Sequence, residues 1–135
     1  MADIIQQNDT RRALVETLNE LAESDNKIIA IACDVGFNYL TGKNKFKFYN
    51  FGVTEQTSTI IGAVLSREGF SVWIYSMIPF VAFRPFEMIR NAVLMNGATF
   101  KLLGVKGSEK YKMLGRSHNM AFENEDTYHL KPYMD

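Results

Sequence analysis

The chain has 135 residues, of which 47% are hydrophobic and 22% charged, with 15 basic and 15 acidic side chains. This composition is typical of one globular domain with a real core. The zero net charge gives no electrostatic reason to expect nucleic acid or a membrane as partner. The single cysteine, Cys33, excludes a disulfide within the chain and favours a reducing compartment. No signal peptide or apolar run of the ~20 residues that span a bilayer is found, so we expect a cytoplasmic protein.

Hydrophobic periodicity divides the chain into alternating helices and strands. Leucines at helical spacing predict a first helix over 10–24, and the continuous apolar run KIIAIACDV predicts a strand over 27–35 that is buried on both faces. The other predicted strands cover 46–51, 70–76 and 100–105, and the other predicted helices cover 55–69, 79–97 (kinked or restarted at Pro85) and about 121–131. The alternation predicts a single α/β domain over 1–135, with a mainly parallel sheet flanked by helices on both faces.

Ligands of parallel α/β sheets gather beyond the carboxyl ends of the strands. This rule places four segments on one edge: Asp34, the turn 50–55, residues 76–80 and the loop 106–118. Glu55, in the stretch FYNFGVTEQTS, is therefore either a helix-start residue stabilised by the helix dipole or a positioned acid. The sequence contains no GxGxxG, P-loop lysine, zinc-ligand cluster or GxSxG elbow, and we predict no metal site in this chain.

Five segments resemble, in order, the pyrimidine-binding domain of the transketolase family of thiamine diphosphate enzymes. They are TRRAL, IIAIACDVG, FGVTEQ, YSMIPFVAFRPFEMIR and LGRSHNMAFENED. The pattern is closest to the split form, in which the C-terminal part of transketolase is a separate polypeptide. The resemblance implies the thiamine diphosphate-binding fold and transfer of a two-carbon ketol unit between sugar phosphates.

The resemblance makes Glu55 the catalytic residue. Its carboxylate would hydrogen-bond the aminopyrimidine of thiamine diphosphate and favour the imino tautomer that deprotonates the thiazolium. Gly52 would allow close approach of the ring, and Phe80 and Phe83 would supply an aromatic wall. Ile78 stands in the usual stacking position of the family, so either Phe80 takes over or the wall is aliphatic. Alternatively, both phenylalanines are core residues of a kinked helix.

Four further residues are candidates through the same resemblance. Asp34 resembles an aspartate near the cofactor and is alternatively a turn or helix cap. Arg11 and Asn38 fall where the family binds the phosphate of the sugar substrate, although Arg11 also fits solvated surface charge. His118 resembles a histidine at the mouth of the active site and is alternatively structural or exposed.

The other half of the cofactor site would belong to another chain. The family holds magnesium and diphosphate with a Gly-Asp-Gly…Asn motif, which this sequence lacks. The resemblance therefore implies a diphosphate-binding partner subunit and a chain that is inactive alone. Family domains continue with further strands, so we expect a sheet that is short on one side, with an open edge. The open edge and the helix 79–97 would support a homodimer or larger assembly.

Two alternatives remain open. The first alternative is a non-catalytic interaction module or a truncated fragment of such an enzyme. Ile78 favours it, because it stands in the usual stacking position. Met113 and Leu114 favour it too, because they replace an acidic pair that contacts the sugar in full-length transketolases. The second alternative is a subunit of a 1-deoxyketose phosphate synthase-like enzyme. Retention of Glu55 within GVTEQ favours an enzyme, because a non-catalytic module does not need that carboxylate.

Overall fold

The computed structural model describes residues 10–36, 40, 42–105, 113–122 and 124–133. Its elements are, in chain order, α1 (Thr10–Leu21), β1 (Ile28–Ala32), β2 (Lys47–Asn50), α2 (Glu55–Arg67), β3 (Ser71–Met77), α3 (Ile78–Ala82), α4 (Phe86–Met88), a π-helix (Ile89–Leu94), β4 (Lys101–Val105), a 3₁₀ helix (Arg116–His118), α5 (Glu125–Tyr128) and a second 3₁₀ helix (Lys131–Tyr133). No helix in these residues is long and apolar enough to cross a membrane.

The four strands form one parallel sheet in the order β2-β1-β3-β4. The chain moves from β1 outward to β2, then crosses back over β1 through α2 to reach β3. The strand order therefore reverses between β1 and β3, and in parallel α/β sheets such a reversal marks the ligand crevice beyond the carboxyl ends of the strands. Because α2 begins directly after β2, its first turn lies at this crevice.

Helices cover both faces of the sheet, which confirms the predicted α/β class. Alternate residues of β1 belong to two different clusters, as the two-residue period of a strand requires. Ile28, Ala30 and Ala32 pack with Leu18 of α1 on one face. On the other face, Ile29 and Ile31 pack with residues of β3 and α3: Val72, Ile74, Ile78 and Val81.

The helix predicted over 79–97 is broken into three pieces. Proline cannot donate a backbone hydrogen bond, and its ring excludes the preceding turn from a regular helix, so the chain turns at Pro85 and restarts as α4. The last piece is π-helical, with backbone bonds between residues five apart: the Met95 N–H donates to the Arg90 carbonyl at 3.1 Å, and the Ala98 N–H donates to the Val93 carbonyl at 2.9 Å. The sequence pattern located the break correctly but missed the π-helix.

Two other predicted boundaries are wrong. The strand predicted over 27–35 ends at Ala32, because Asp34 has a positive φ of 58° that a strand cannot contain. The final helix, predicted around 121–131, contracts to α5 and the 3₁₀ turn at Lys131–Tyr133. Asn124, with φ 61°, precedes α5 and interrupts the helical path.

Candidate active site

The turn before α2 is fixed by the side chain of Asn50. Its Oδ1 accepts hydrogen bonds from the backbone N–H groups of Asp34 and Gly52, both at 3.1 Å. Gly52 adopts φ +68°, where glycine avoids the steric strain of other residues, and a Cβ there would meet nothing within 4 Å. The hydroxyl of Thr54, the residue before α2, donates to the Phe51 carbonyl at 2.9 Å instead of capping the helix. Asn50 thus joins the loops that follow β1 and β2.

Glu55 is the first residue of α2, and its side chain points into the protein. The residue is 1% exposed. The Ser76 hydroxyl donates to Oε1 at 2.9 Å, and Nη1 of Arg84 donates to Oε2 at 2.6 Å. A helix-start glutamate needs only an exposed position near the helix dipole, whereas a buried carboxylate must be paired and hydrogen-bonded. Glu55 is therefore both the helix start and a buried, oriented acid.

Arg84 connects this buried acid to the surface. Its side chain is 34% exposed, and its guanidinium carbon lies 4.1 Å from the centroid of the Phe80 ring. His118 meets Phe80 edge-on, with ring centroids 4.9 Å apart and an interplanar angle of 74°. Glu55, Arg84, Phe80 and His118 thus form a continuous series of contacts from the core to the C-terminal segment.

A cleft of about 440 Å³ adjoins this series. It lies between α3 with its following turn and the C-terminal segment, and its walls are Pro79, Phe80, Phe83, Arg84, Arg116, Ser117, Asn119 and Glu125. The α3 side combines two aromatic rings with Arg84, and the lining residues of the C-terminal segment are all polar or charged. A flat polar molecule matches this combination of surfaces.

The second predicted aromatic residue, Phe83, has a different neighbour. Its ring lies 4.7 Å from the His129 ring, which also contacts Phe86 at 5.1 Å. Nε2 of His129 donates to the Ala82 carbonyl at 3.2 Å. The two histidines therefore attach the C-terminal segment to α3 and α4, His118 through Phe80 and His129 through Phe83 and Phe86.

Beside Glu55, Cys33 completes a small buried polar cluster. Its thiol donates to the Ser58 hydroxyl at 3.4 Å, and that hydroxyl lies 3.4 Å from the Thr54 hydroxyl. Burial raises the pKa of the Cys33 thiol, the hydrogen bond with Ser58 partly opposes this, and the charge of Glu55 adds to the rise. Because the thiolate is the reactive form, Cys33 is suited to packing and not to nucleophilic catalysis.

The remaining predicted site residues are spread more widely. Asp34 lies at the same edge of the sheet and is exposed. Ile78 does not line the cleft; it packs over β4, where a Cβ on Gly104 would collide with it. Arg11 is partly buried in the first turn of α1, and Asn38 lies outside the described residues.

Sequence reasoning missed the two partners of Glu55. Arg84 stands alone as a cation in the apolar run IPFVAFRPF, and an isolated cation in such a run indicates a nearby buried acid. Ser76 is a hydroxyl residue at the end of a buried strand, which is a weaker indication of a nearby polar partner. Neither pattern identifies which acid is the partner, because the partner is 29 residues from Arg84 and 21 residues from Ser76.

No protein-family model matches the chain. The chain is 28% identical over 113 residues to a protein of Phocaeicola vulgatus that is one of the subunits of an apulose-4-phosphate transketolase. The match covers 81% of this chain and 36% of the relative, so the chain spans about a third of the length of that protein. The similarity supports a transketolase-like family, on a parallel α/β fold whose switch point holds a buried, paired glutamate.

Proposed function

We propose that this chain is the pyrimidine-binding part of a split transketolase-like enzyme, in which Glu55 contacts the aminopyrimidine ring of thiamine diphosphate. The main support is the buried carboxylate of Glu55 at the crevice between β1 and β3, oriented by Ser76 and paired with Arg84. A fold tolerates a buried charge only where neighbouring groups compensate it, and such groups concentrate at functional sites. The similarity to one subunit of a transketolase supports the same assignment.

The residues present fit an aminopyrimidine ring. Each oxygen of Glu55 accepts one hydrogen bond, so each keeps a lone pair for a ring nitrogen or amino group. The ring of Phe80, over which the Arg84 guanidinium lies, is the nearby flat apolar surface. When bound, thiamine diphosphate supplies the carbanion chemistry of ketol transfer. In this proposal Glu55 holds or gives a proton at the ring nitrogen, Ser76 fixes the orientation of its carboxylate, and burial excludes water.

The other contacts follow the same proposal. His118 contacts Phe80, which lines the cleft, and we propose that it meets the substrate. Arg11 and Asn38 are the candidates for binding a sugar phosphate. The magnesium and diphosphate are assigned to a partner subunit. Among the described residues, no group of three or more His, Cys, Asp or Glu side chains can hold a metal ion. We further propose a cytoplasmic assembly that is a homodimer or larger.

Two observations favour a non-catalytic interaction module instead. The Glu55–Arg84 ion pair satisfies both groups within the chain, so the carboxylate needs no ligand to be stable in the core. Met113 and Leu114, which replace the sugar-contacting acidic pair, are also exposed at 85% and 46%. In this second candidate, the chain would assemble with its partner without binding thiamine diphosphate.

Reconstitution with a diphosphate-binding subunit of the transketolase type tests the proposal. Glu55→Gln keeps the size of the side chain and removes its charge, so ketol transfer should fall by about 10²-fold or more while assembly is unchanged. Glu68→Gln is the matched control, because Glu68 is an exposed carboxylate next to the other end of α2. Equal turnover of Glu55→Gln and the unmodified complex would overturn the role of Glu55. A complex that assembles but binds no thiamine diphosphate would support the interaction module.

A further inference from the structure

Arg84 makes the two contacts that the proposed function assigns to the cofactor ring. Its guanidinium is flat and cationic, it lies over the face of Phe80 with its central carbon 4.1 Å from the ring centroid, and it donates an N–H to Glu55 at 2.6 Å. An aminopyrimidine at this site is also flat, stacks on an aromatic ring and exchanges a hydrogen bond with the carboxylate. The guanidinium and the ring therefore compete for the same surface of Phe80 and the same carboxylate oxygens.

We propose that Arg84 is an internal occupant of the ring site, and that an aminopyrimidine binds by displacing its guanidinium from Glu55 and Phe80. The inference rests on the proposed function and adds the residue that regulates access to the site. The amino group of the ring would replace the guanidinium as a donor while the Ser76 hydroxyl stays in place, so the buried carboxylate remains hydrogen-bonded after the exchange. The exchange also explains why a buried acid at a candidate ligand site is already paired within the chain.

The cleft provides a place for the displaced guanidinium. Arg84 already lines the cleft and is about a third exposed, so it can leave Glu55 by rotation of its own side chain. Glu125 lines the same cleft and offers a second carboxylate, one oxygen of which accepts the Ala121 N–H. The displaced guanidinium would therefore move into a cleft that holds a second, partly exposed carboxylate.

An internal occupant lowers the apparent affinity of a ligand. If Arg84 holds the site about nine-tenths of the time, removing it should tighten binding about tenfold. A permanent positioning residue predicts the opposite, because its loss would leave Glu55 misoriented and weaken binding. The sign of the change in affinity on removing Arg84 therefore separates the two roles.

The experiment measures binding of thiamine, which carries the ring without the diphosphate, to the full chain and its variants by NMR titration. Arg84→Ala should bind thiamine about tenfold more tightly than the unmodified chain. Methylguanidinium should compete with thiamine in this variant and raise its Tm, because it restores the lost group. Adding Glu55→Gln to Arg84→Ala should remove both the tighter binding of thiamine and the rescue by methylguanidinium.

Arg90→Ala is the matched control, because it removes an exposed arginine from the same segment, and it should bind thiamine as the unmodified chain does. Thiamine binding to Arg84→Ala that is equal or weaker would overturn the inference.

A second measurement covers the case in which Arg84→Ala does not fold. In the unmodified chain, the Nε–H signal of Arg84 should change to that of an exposed side chain as thiamine is added. A signal that stays constant while thiamine shifts other resonances would overturn the inference. The two proposals can fail separately. If Arg84 stays in place but Glu55→Gln abolishes ketol transfer, only the displacement of Arg84 is wrong. If Arg84 is displaced but Glu55→Gln leaves ketol transfer intact, only the catalytic role of Glu55 is wrong.

Discussion

The two faces of the sheet are built from adjacent residues of the same strands, yet their interiors differ in polarity. On the α1 face, the buried cluster is wholly apolar and centres on Leu18, which is 0% exposed. On the other face, the same kind of apolar cluster stands beside buried polar groups. All four polar or charged residues that are buried in the described part of the chain belong to α2 or to the side of β3 that faces it: Glu55, Ser58, Thr59 and Ser76.

The difference shows that the buried polar groups of this core are confined to the face that carries the candidate site. The buried residues of both clusters are at most 6% exposed, but only the second cluster lies beneath α2, the helix that crosses the switch point. Glu55, Ser58 and Ser76 form hydrogen bonds with neighbouring groups at its carboxyl edge, so they are buried without being unsatisfied. The buried Thr59 hydroxyl, by contrast, has no partner among the described residues. We therefore expect α1-face substitutions to change stability alone, and substitutions of the residues that hydrogen-bond to Glu55 to change its orientation as well.

The largest effect on stability is expected for Leu18→Ala. Removing a fully buried leucine should lower the free energy of unfolding by about 3 kcal/mol, through lost burial and the cavity left behind. Urea unfolding measures the change, and turnover per folded molecule of the reconstituted complex should stay constant. A loss of turnover per folded molecule would show that the two faces are not independent.

A pair of hydroxyl deletions sharpens the comparison within the second face. Ser76→Ala removes a hydrogen bond to the Glu55 carboxylate and should cost about 2 kcal/mol, with reduced turnover of the complex. Thr59→Val is the matched control, because the Thr59 hydroxyl is buried without a hydrogen-bond partner among the described residues. It should leave stability unchanged or raise it by about 1 kcal/mol. Equal losses for the two variants, measured by urea unfolding, would contradict a specific role for Ser76.

The smallest effect is a pH dependence at Cys33. Burial raises the pKa of its thiol above the usual 9.0, so the folded state keeps the proton that the unfolded chain releases. Stability from this group is therefore complete below about pH 9 and falls as pH rises towards the folded pKa, by at most about 1.4 kcal/mol per pH unit. Urea unfolding at pH 8 and pH 10 should show a larger loss for the unmodified chain than for Cys33→Ala. Identical losses of stability would mean that Cys33 does not contribute to the pH dependence of unfolding.

The sequence predicted the fold class, the order of the elements and the edge that carries Glu55. These follow from local signals: the continuous apolar run of β1 indicates burial on both faces, and the leucine spacing of α1 indicates one apolar stripe. Local signals failed where a single residue redirects the chain, as at Asp34 with its positive φ, and where the π-helix follows Pro85. The hydrogen-bonding pattern of a π-helix leaves no simple periodic mark in the sequence.

Glu55 shows the limit of sequence reasoning most clearly. Its position at the start of α2 was evident from the motif and from the helical pattern that follows it. Its partners were not, because Ser76 and Arg84 reach it only after α2 has crossed the sheet and α3 has turned back over β3. By itself, the sequence determined the parallel α/β fold and the location of the acid, since these depend on local periodicity and strand order. Only the tertiary structure decided that the acid is buried and bound by an arginine stacked on Phe80, because those contacts join segments that are distant along the chain.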